Sequence, residues 1–294
     1  MSSGGLPRPG PPYQSVHTNS LWGAVMGILS HPLAANTHAG LLVLCYHALS
    51  HDWQADLSVT PARFAEQLTY LSDHGYRGVT FTEALTGKLD GPCVAITFDD
   101  GYVSNYELAR PILADHGMPA TVFVPTDYLG GGPMSWPGID RWIGTPSEDE
   151  LRPMSWNQAR TLHSEGWELG SHTLSHPRLT EVPDEQLDRE LTESRAVLER
   201  ELGAPCTSLA FPYGDHDQRV IDATARAGYE VAGTLPTRTD VSSVLAWPRI
   251  GIYNADGART FRFKVSPLVR RFRSSAAGPI LHAMRAVSHR PGQT

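Results

Sequence analysis

The stretch Cys93-Val94-Ala95-Ile96-Thr97-Phe98-Asp99-Asp100-Gly101 decides the fold. Its apolar, β-branched run through Phe98 reads as a strand buried on both faces. The run stops at two carboxylates and a glycine, the residue types of a turn. Strands of this kind occur in parallel α/β architectures, where ligands bind beyond the carboxyl ends of the strands.

Toward the N-terminus, Leu41-Leu42-Val43-Leu44-Cys45-Tyr46 is a second run of this type. Between the two, Thr60 and Pro61 suit a helix start, and Phe64, Leu68 and Leu71 repeat at helical spacing until His74-Gly75. Toward the C-terminus the pattern predicts a helix over 103–116, a strand over 120–124, a helix over 156–164 and a strand over 167–170. A long charged helix near 184–202, a strand over 208–211, a helix over 219–227 and a strand over 230–233 follow. This alternation implies parallel strands covered by helices, in an open sheet or a barrel. Polar residues gather just after the predicted strands, at His47, Asp99-Asp100, Ser171-His172 and Pro212-Tyr213. Four segments therefore converge on one mouth.

The chain has 294 residues, 40% hydrophobic and 19% charged, which fits a globular protein and excludes disordered, collagenous and coiled-coil classes. Its net charge of −7 removes a default case for nucleic-acid binding. That charge is unevenly spread. No acid follows Asp256, so residues 1–256 hold all 31 acids against 16 of the 24 Lys and Arg, net −15, and the remainder is +8. Cys45, Cys93 and Cys206 are too few and too scattered for a disulfide framework or a CxxC zinc site and read as buried thiols. The Gly/Pro/Ser-rich start lacks the cationic cluster of a secretory signal, and the apolar stretch Leu21–Leu29 is interrupted at His31-Pro32, short of a bilayer span. The reading is a cytoplasmic protein with a flexible arm over 1–37, a folded unit over 38–258 and a basic tail over 259–294.

His172 and His176 are four residues apart, a separation that places two imidazoles on one face of a helical turn, where they can share a metal. Alone, the pair is more often two hydrogen-bonded surface histidines. Asp99 and Asp100 are either an ordinary turn or a pair whose like charges need a cation between them. Two histidines and one carboxylate leave open positions on a metal, as hydrolytic sites require. Asp100 could be the third ligand, leaving Asp99 to accept a proton from a water that the metal acidifies.

Thr97-Phe98-Asp99-Asp100-Gly101, His172-Thr173-Leu174-Ser175-His176 and Phe211-Pro212-Tyr213-Gly214, in that order, resemble the motifs of the polysaccharide deacetylases of carbohydrate esterase family 4. The resemblance covers roughly residues 40–253. It implies a distorted (β/α) barrel with fewer than eight strands and a divalent metal ion, usually zinc. Residue by residue it implies Asp99 as general base, Asp100, His172 and His176 as metal ligands, and Tyr213 as a backbone N–H donor to the oxyanion.

Two positions depart from the common pattern. The arginine that usually precedes Pro-Tyr is missing, because Leu209, Ala210 and Phe211 stand there; Arg249 in Trp247-Pro248-Arg249-Ile250-Gly251 is the best substitute. The late general-acid histidine has a match in Leu281-His282, but that dipeptide lies in the basic tail. His47 ends the first predicted strand and resembles the early Tyr-His of the poly-N-acetylglucosamine deacetylases, whose motifs are circularly permuted. In a closed barrel the first and last strands are neighbours, and His47 is preferred over His282.

The implied function is metal-dependent removal of an N-acetyl group from an N-acetylhexosamine in a glycan, glycolipid or biosynthetic intermediate. Rival readings are an amidohydrolase acting on a small non-sugar amide or cyclic ureide, and a non-catalytic glycan-binding barrel. Trp136, Trp142 and Trp156 lie in or beside the long 130–150 loop and suit either sugar faces or core packing. In the tail, Leu268, Phe272, Ile280 and Leu281 alternate with Arg270, Arg271 and Arg273, which suits peripheral membrane contact or a solvated end equally well. Oligomeric state stays open.

Overall fold

The computed structural model describes residues 40–235 and 243–267. The arm, His282 and the apolar–basic alternation from Leu268 onward lie outside the described residues. Eleven strands are present among them: β1 Leu41–Tyr46, β2 Ala48–Leu49, β3 Ser58–Val59, β4 Arg77–Val79, β5 Cys93–Phe98, β6 Thr121–Val124, β7 Glu168–Ser171, β8 Ser208–Ala210, β9 Val231–Thr234, β10 Trp247–Pro248 and β11 Ile250–Gly251. Nine of these form one sheet and all its pairings are parallel, while β2 and β3 pair with each other.

The strand order is β10-β9-β8-β7-β6-β5-β1-β11, with β4 pairing only with the first half of β5. Its two ends are one run of chain. Residues 247–251 hydrogen-bond to β9 before Arg249 and to β1 after it, nearly closing the sheet into a barrel. Counted as one interrupted strand, that run completes a ring of seven, and with β4 alongside the sheet has eight strands, so the distorted barrel is as expected but its count exceeds the fewer than eight that the resemblance implied.

Both faces of the strands are covered, which is why they read as unbroken apolar runs. Leu42, Leu44, Val94, Ile96, Val122 and Leu209 pack outward beneath helices, against Phe64, Leu68, Leu113, Leu162, Leu191 and Leu198. The alternate residues Leu41, Val43, Ala95, Phe123, Ala210, Val231 and Trp247 form a separate interior cluster with Phe81, Ala84 and Leu85 of the helix Phe81–Thr86. That helix sits at the N-terminal strand ends, since the Phe81 N–H donates to Thr121 and Thr82 donates to Glu168. The period of two then places Cys45, His47, Thr97, Asp99, His172 and Arg249 on the interior side at the opposite mouth.

The helices Pro61–Asp73 and Trp156–Ser164 begin on Thr60 and on a Ser155/Gln158 capping box, and Asp184–Leu202 ends on left-handed Gly203. The segment expected to be one helix over 103–116 instead starts with a wide turn, Asn105–Ala109, before Arg110–Asp115. Here the Asn105 amide reaches sideways to the His47 carbonyl at 2.7 Å. No described helix is long and apolar enough to cross a membrane.

Candidate active site

Asp99 and Asp100 are both buried at the end of β5, yet their charges are met from opposite sides. Arg249, 1% exposed, places its two terminal nitrogens 2.6 and 2.7 Å from the two oxygens of Asp99, and one of them also donates to Thr97 Oγ1 at 3.1 Å. This fork–fork pairing fixes the plane of the carboxylate as a single lysine charge would not. It depends on Gly233, where a Cβ would lie 2.7 Å from Arg249 Nε. Burial pushes the Asp99 pKa upward, but Arg249, with help from His172 and His47, holds it at about 2. Cys45 Sγ lies 3.3 Å from Asp99 Oδ2, and burial keeps that thiol well above its ordinary pKa, so it donates as a neutral S–H.

Asp100 faces the histidines. Its Oδ1 is 3.4 Å from His172 Nε2 and 3.3 Å from His176 Nε2. Burial disfavours its charge, yet the hydrogen bonds from the two imidazoles hold its pKa well below the usual carboxylate range. Burial also disfavours both imidazolium forms. The Asp100, Asp99 and Ala210 oxygens outweigh it at His172, whose pKa is raised, while at His176 burial prevails and the pKa is lowered.

The histidine pair does not sit on a helical turn as its spacing suggests. Thr173 and His176 adopt φ of 70° and 63°, and the segment is an irregular loop after β7. The Thr173 N–H turns back to Ser171 Oγ at 3.0 Å and the His176 N–H to Thr173 Oγ1 at 3.1 Å, which replaces helical bonding. The rings still meet, with centroids 4.8 Å apart. Asp100 and Tyr213 have φ of 72° and 60°, so the described non-glycine residues with left-handed backbone all lie at this mouth.

The donor set suits a divalent cation. Asp100, His172 and His176 offer one oxygen and two nitrogens within 4.8 Å of one another, all buried. In a tetrahedral site with bonds of about 2.0–2.1 Å the donor atoms stand about 3.3 Å apart, the separation that Asp100 keeps from both imidazoles. His172 Nδ1 lies 2.8 Å from the Ala210 carbonyl, which leaves Nε2 free to bind. A second cluster, Cys45, His47 and Asp99, suits a cation poorly, because Arg249 occupies both Asp99 oxygens and the thiol stays protonated.

Around these groups lies a cleft of about 560 Å³ lined by His47, Trp136, Trp142, Tyr213 and Tyr253 among others. Trp136 stacks on His176 at 4.1 Å, Tyr213 meets His176 edge-on at 4.8 Å, and the Arg178 guanidinium lies 4.1 Å over the Tyr213 ring. Trp156 points elsewhere and packs on the main core. The His47 ring stacks on Tyr253 at 6.4 Å, and His47 lies beside Asp99 because β1 pairs in register with β5, Cys45 against Thr97 and Tyr46 against Phe98. Tyr253 and Arg178 were not singled out from the sequence, and Cys45 was read only as a buried thiol. Period-two counting from His47 could have put Cys45 at the site; Tyr253 and Arg178 sit in loops without a repeat.

A family model for polysaccharide deacetylases matches residues 86–232. YxkH of Bacillus subtilis (strain 168) is 29% identical over 201 residues, covering 67% of this chain and 64% of that protein. The poly-beta-1,6-N-acetyl-D-glucosamine N-deacetylase of Staphylococcus aureus (strain MSSA476) is 24% identical over 191 residues, covering 60% and 61%. The chain thus matches less than two thirds of the length of these curated relatives. Among solved structures, the Streptococcus pyogenes deacetylase PplD in complex with acetate superimposes with a TM-score of 0.64 at 22% identity, over 77% of this chain and 98% of that one. IcaB from Ammonifex degensii does so with a TM-score of 0.62 at 26% identity, over 80% and 97%.

Proposed function

The chain belongs to the polysaccharide deacetylase family, and from that premise we propose that it hydrolyses the N-acetyl group of an N-acetylhexosamine in a glycan, glycolipid or sugar biosynthetic intermediate, releasing acetate. The observation that carries this reading is the division of labour between adjacent buried carboxylates, Asp99 on Arg249 and Asp100 on two imidazoles. The proposed catalytic unit is residues 38–258, and the proposed ion is zinc, held by Asp100, His172 and His176. When bound, the ion supplies a Lewis acid that polarises the amide carbonyl and acidifies the attacking water.

Asp99 is the general base. At a pKa of about 2 it is ionised throughout the neutral range and ready to accept the proton of the water. Arg249 holds its plane toward the reacting centre. The Tyr213 N–H donates to the oxygen that becomes negative as the carbonyl carbon turns tetrahedral. His47 then gives a proton to the nitrogen as the C–N bond breaks, so that a neutral amine departs. Trp136, Trp142 and Tyr213 offer apolar ring faces of the kind that sugar rings cover.

Acetate release measured on N-acetylglucosamine oligomers, lipid-linked N-acetylglucosamine and simple amides, with and without chelator, tests this reading. Chelator-sensitive release from a sugar substrate is expected. Release from simple amides alone would select the small-amide reading, and no release with retained glycan binding would select a non-catalytic barrel.

A further inference from the structure

The loop that presents His172 and His176 is gripped from two sides. On one side its carbonyls at Thr173 and Leu174 accept from the Thr126 and Asp127 N–H groups at 3.1 and 3.0 Å. On the other side it meets one side chain. Glu190, 1% exposed on the helix Asp184–Leu202, takes the N–H groups of Leu174 and Ser175 on Oε2 at 2.9 and 3.0 Å and the Ser175 hydroxyl on Oε1 at 2.6 Å. The same helix face carries Ser194, whose hydroxyl lies 2.9 Å from Ser171 Oγ, the acceptor for the Thr173 N–H.

A carboxylate taken out of water is costly, and its charge-assisted bonds are about twice as strong as neutral ones. A function for that strength is visible in what it holds. Thr173 and His176 are left-handed without being glycine, and such residues persist only where the surroundings over-determine them. Glu190 does not line the cleft, so it acts on the site only through the loop. We propose that Glu190 is a positioning residue that holds the 173–176 loop in its strained form, and thereby sets how tightly His172 and His176 bind the ion with Asp100. This rests on the ion-binding reading of those three residues.

The test is the affinity of the purified full chain for Zn²⁺, measured by competition with a chromogenic chelator, alongside the visible absorption of the Co²⁺-loaded protein and the Tm of the metal-free protein. Glu190→Leu leaves the loop donors without an acceptor and is expected to weaken Zn²⁺ binding about 10- to 100-fold, as loss of a group supporting metal ligands typically does, with an altered Co²⁺ spectrum. Glu190→Gln can still accept the two backbone N–H groups and donate to Ser175 Oγ, and is expected to stay within about 3-fold of wild type. Leu198→Ala, a buried core change on the same helix, is expected to lower Tm and leave Zn²⁺ affinity unchanged.

Wild-type affinity in folded Glu190→Leu, or an equal loss in Leu198→Ala, overturns the proposal. If Glu190→Leu does not fold, Ser175→Ala removes one bond to the same carboxylate and must weaken Zn²⁺ about 3-fold; no change there overturns the proposal too. A wild-type chain that binds no ion would fail the ion-binding reading and this inference together, whereas a wild type that binds and a Glu190→Leu that binds equally well fails the inference alone.

Discussion

Replacing Arg249 with Met removes a buried cation while keeping most of its side-chain volume. Asp99, 2% exposed, would keep the burial that opposes its charge and lose the bonds at 2.6 and 2.7 Å that compensate it. A carboxyl held at about 2 rather than its ordinary 3.8 contributes about 2 kcal/mol to folding near neutral pH, at about 1.4 kcal/mol for each unit. Removing one partner of a buried pair costs about 3–5 kcal/mol, because the other charge is left unpaired. A loss of about 3 kcal/mol at pH 7 is therefore expected, roughly 6–12 °C in Tm for a domain of this size. The wild-type contribution is present above pH 4 and is lost as pH falls toward 2. In the variant, burial raises the Asp99 pKa, so its penalty is relieved as the carboxyl protonates. The gap between the two proteins should therefore narrow on acidification. Urea unfolding of chelator-treated protein followed by circular dichroism at pH 7, 5 and 3.5 measures it. A gap below about 1 kcal/mol at pH 7, or one that stays constant to pH 3.5, would refute the reasoning.

Gly233→Ala would place a methyl 2.7 Å from Arg249 Nε and displace the guanidinium from Asp99. Steady-state kinetics should show kcat lowered about 10-fold or more, with a stability loss of about 1–3 kcal/mol by thermal melt. Trp136→Ala removes the ring stacked on His176, and the expected effect is a 3- to 10-fold rise in KM with a smaller change in kcat, matching the worth of one aromatic contact at about 0.5–1.5 kcal/mol. Cys45, Cys93 and Cys206 are all buried, and burial also holds Cys206 at about 12 and Cys45 well above its ordinary pKa, so a thiol reagent at pH 8 should leave native protein unlabelled and modify all three cysteines only in urea. Rapid labelling of the native chain would contradict this.

The strands β1, β5 and β6 were legible because a parallel sheet covered on both faces needs unbroken apolar runs. The closing strand was not. It is two short pieces around a charged residue, and Arg249 makes sense inside a barrel only once Asp99 is known to lie opposite. β4 is only Arg77–Val79, too short to show a period. At the site, Asp99, Asp100, His172 and His176 were found by type and order, but spacing alone suggested a helical turn where the chain uses two left-handed residues. Glu190 was hidden among the many acids of its charged helix, and only the fold shows which of them turns inward.

The most direct test of the account is Asp99→Asn, assayed for metal content and acetate release in one preparation. Asp99 is assigned to proton transfer and Asp100, His172 and His176 to the ion. The variant is therefore expected to retain the wild-type metal stoichiometry while losing at least about 100-fold in turnover, the scale of a missing general base. Near-normal acetate release from a metal-loaded Asp99→Asn chain would contradict that division of roles.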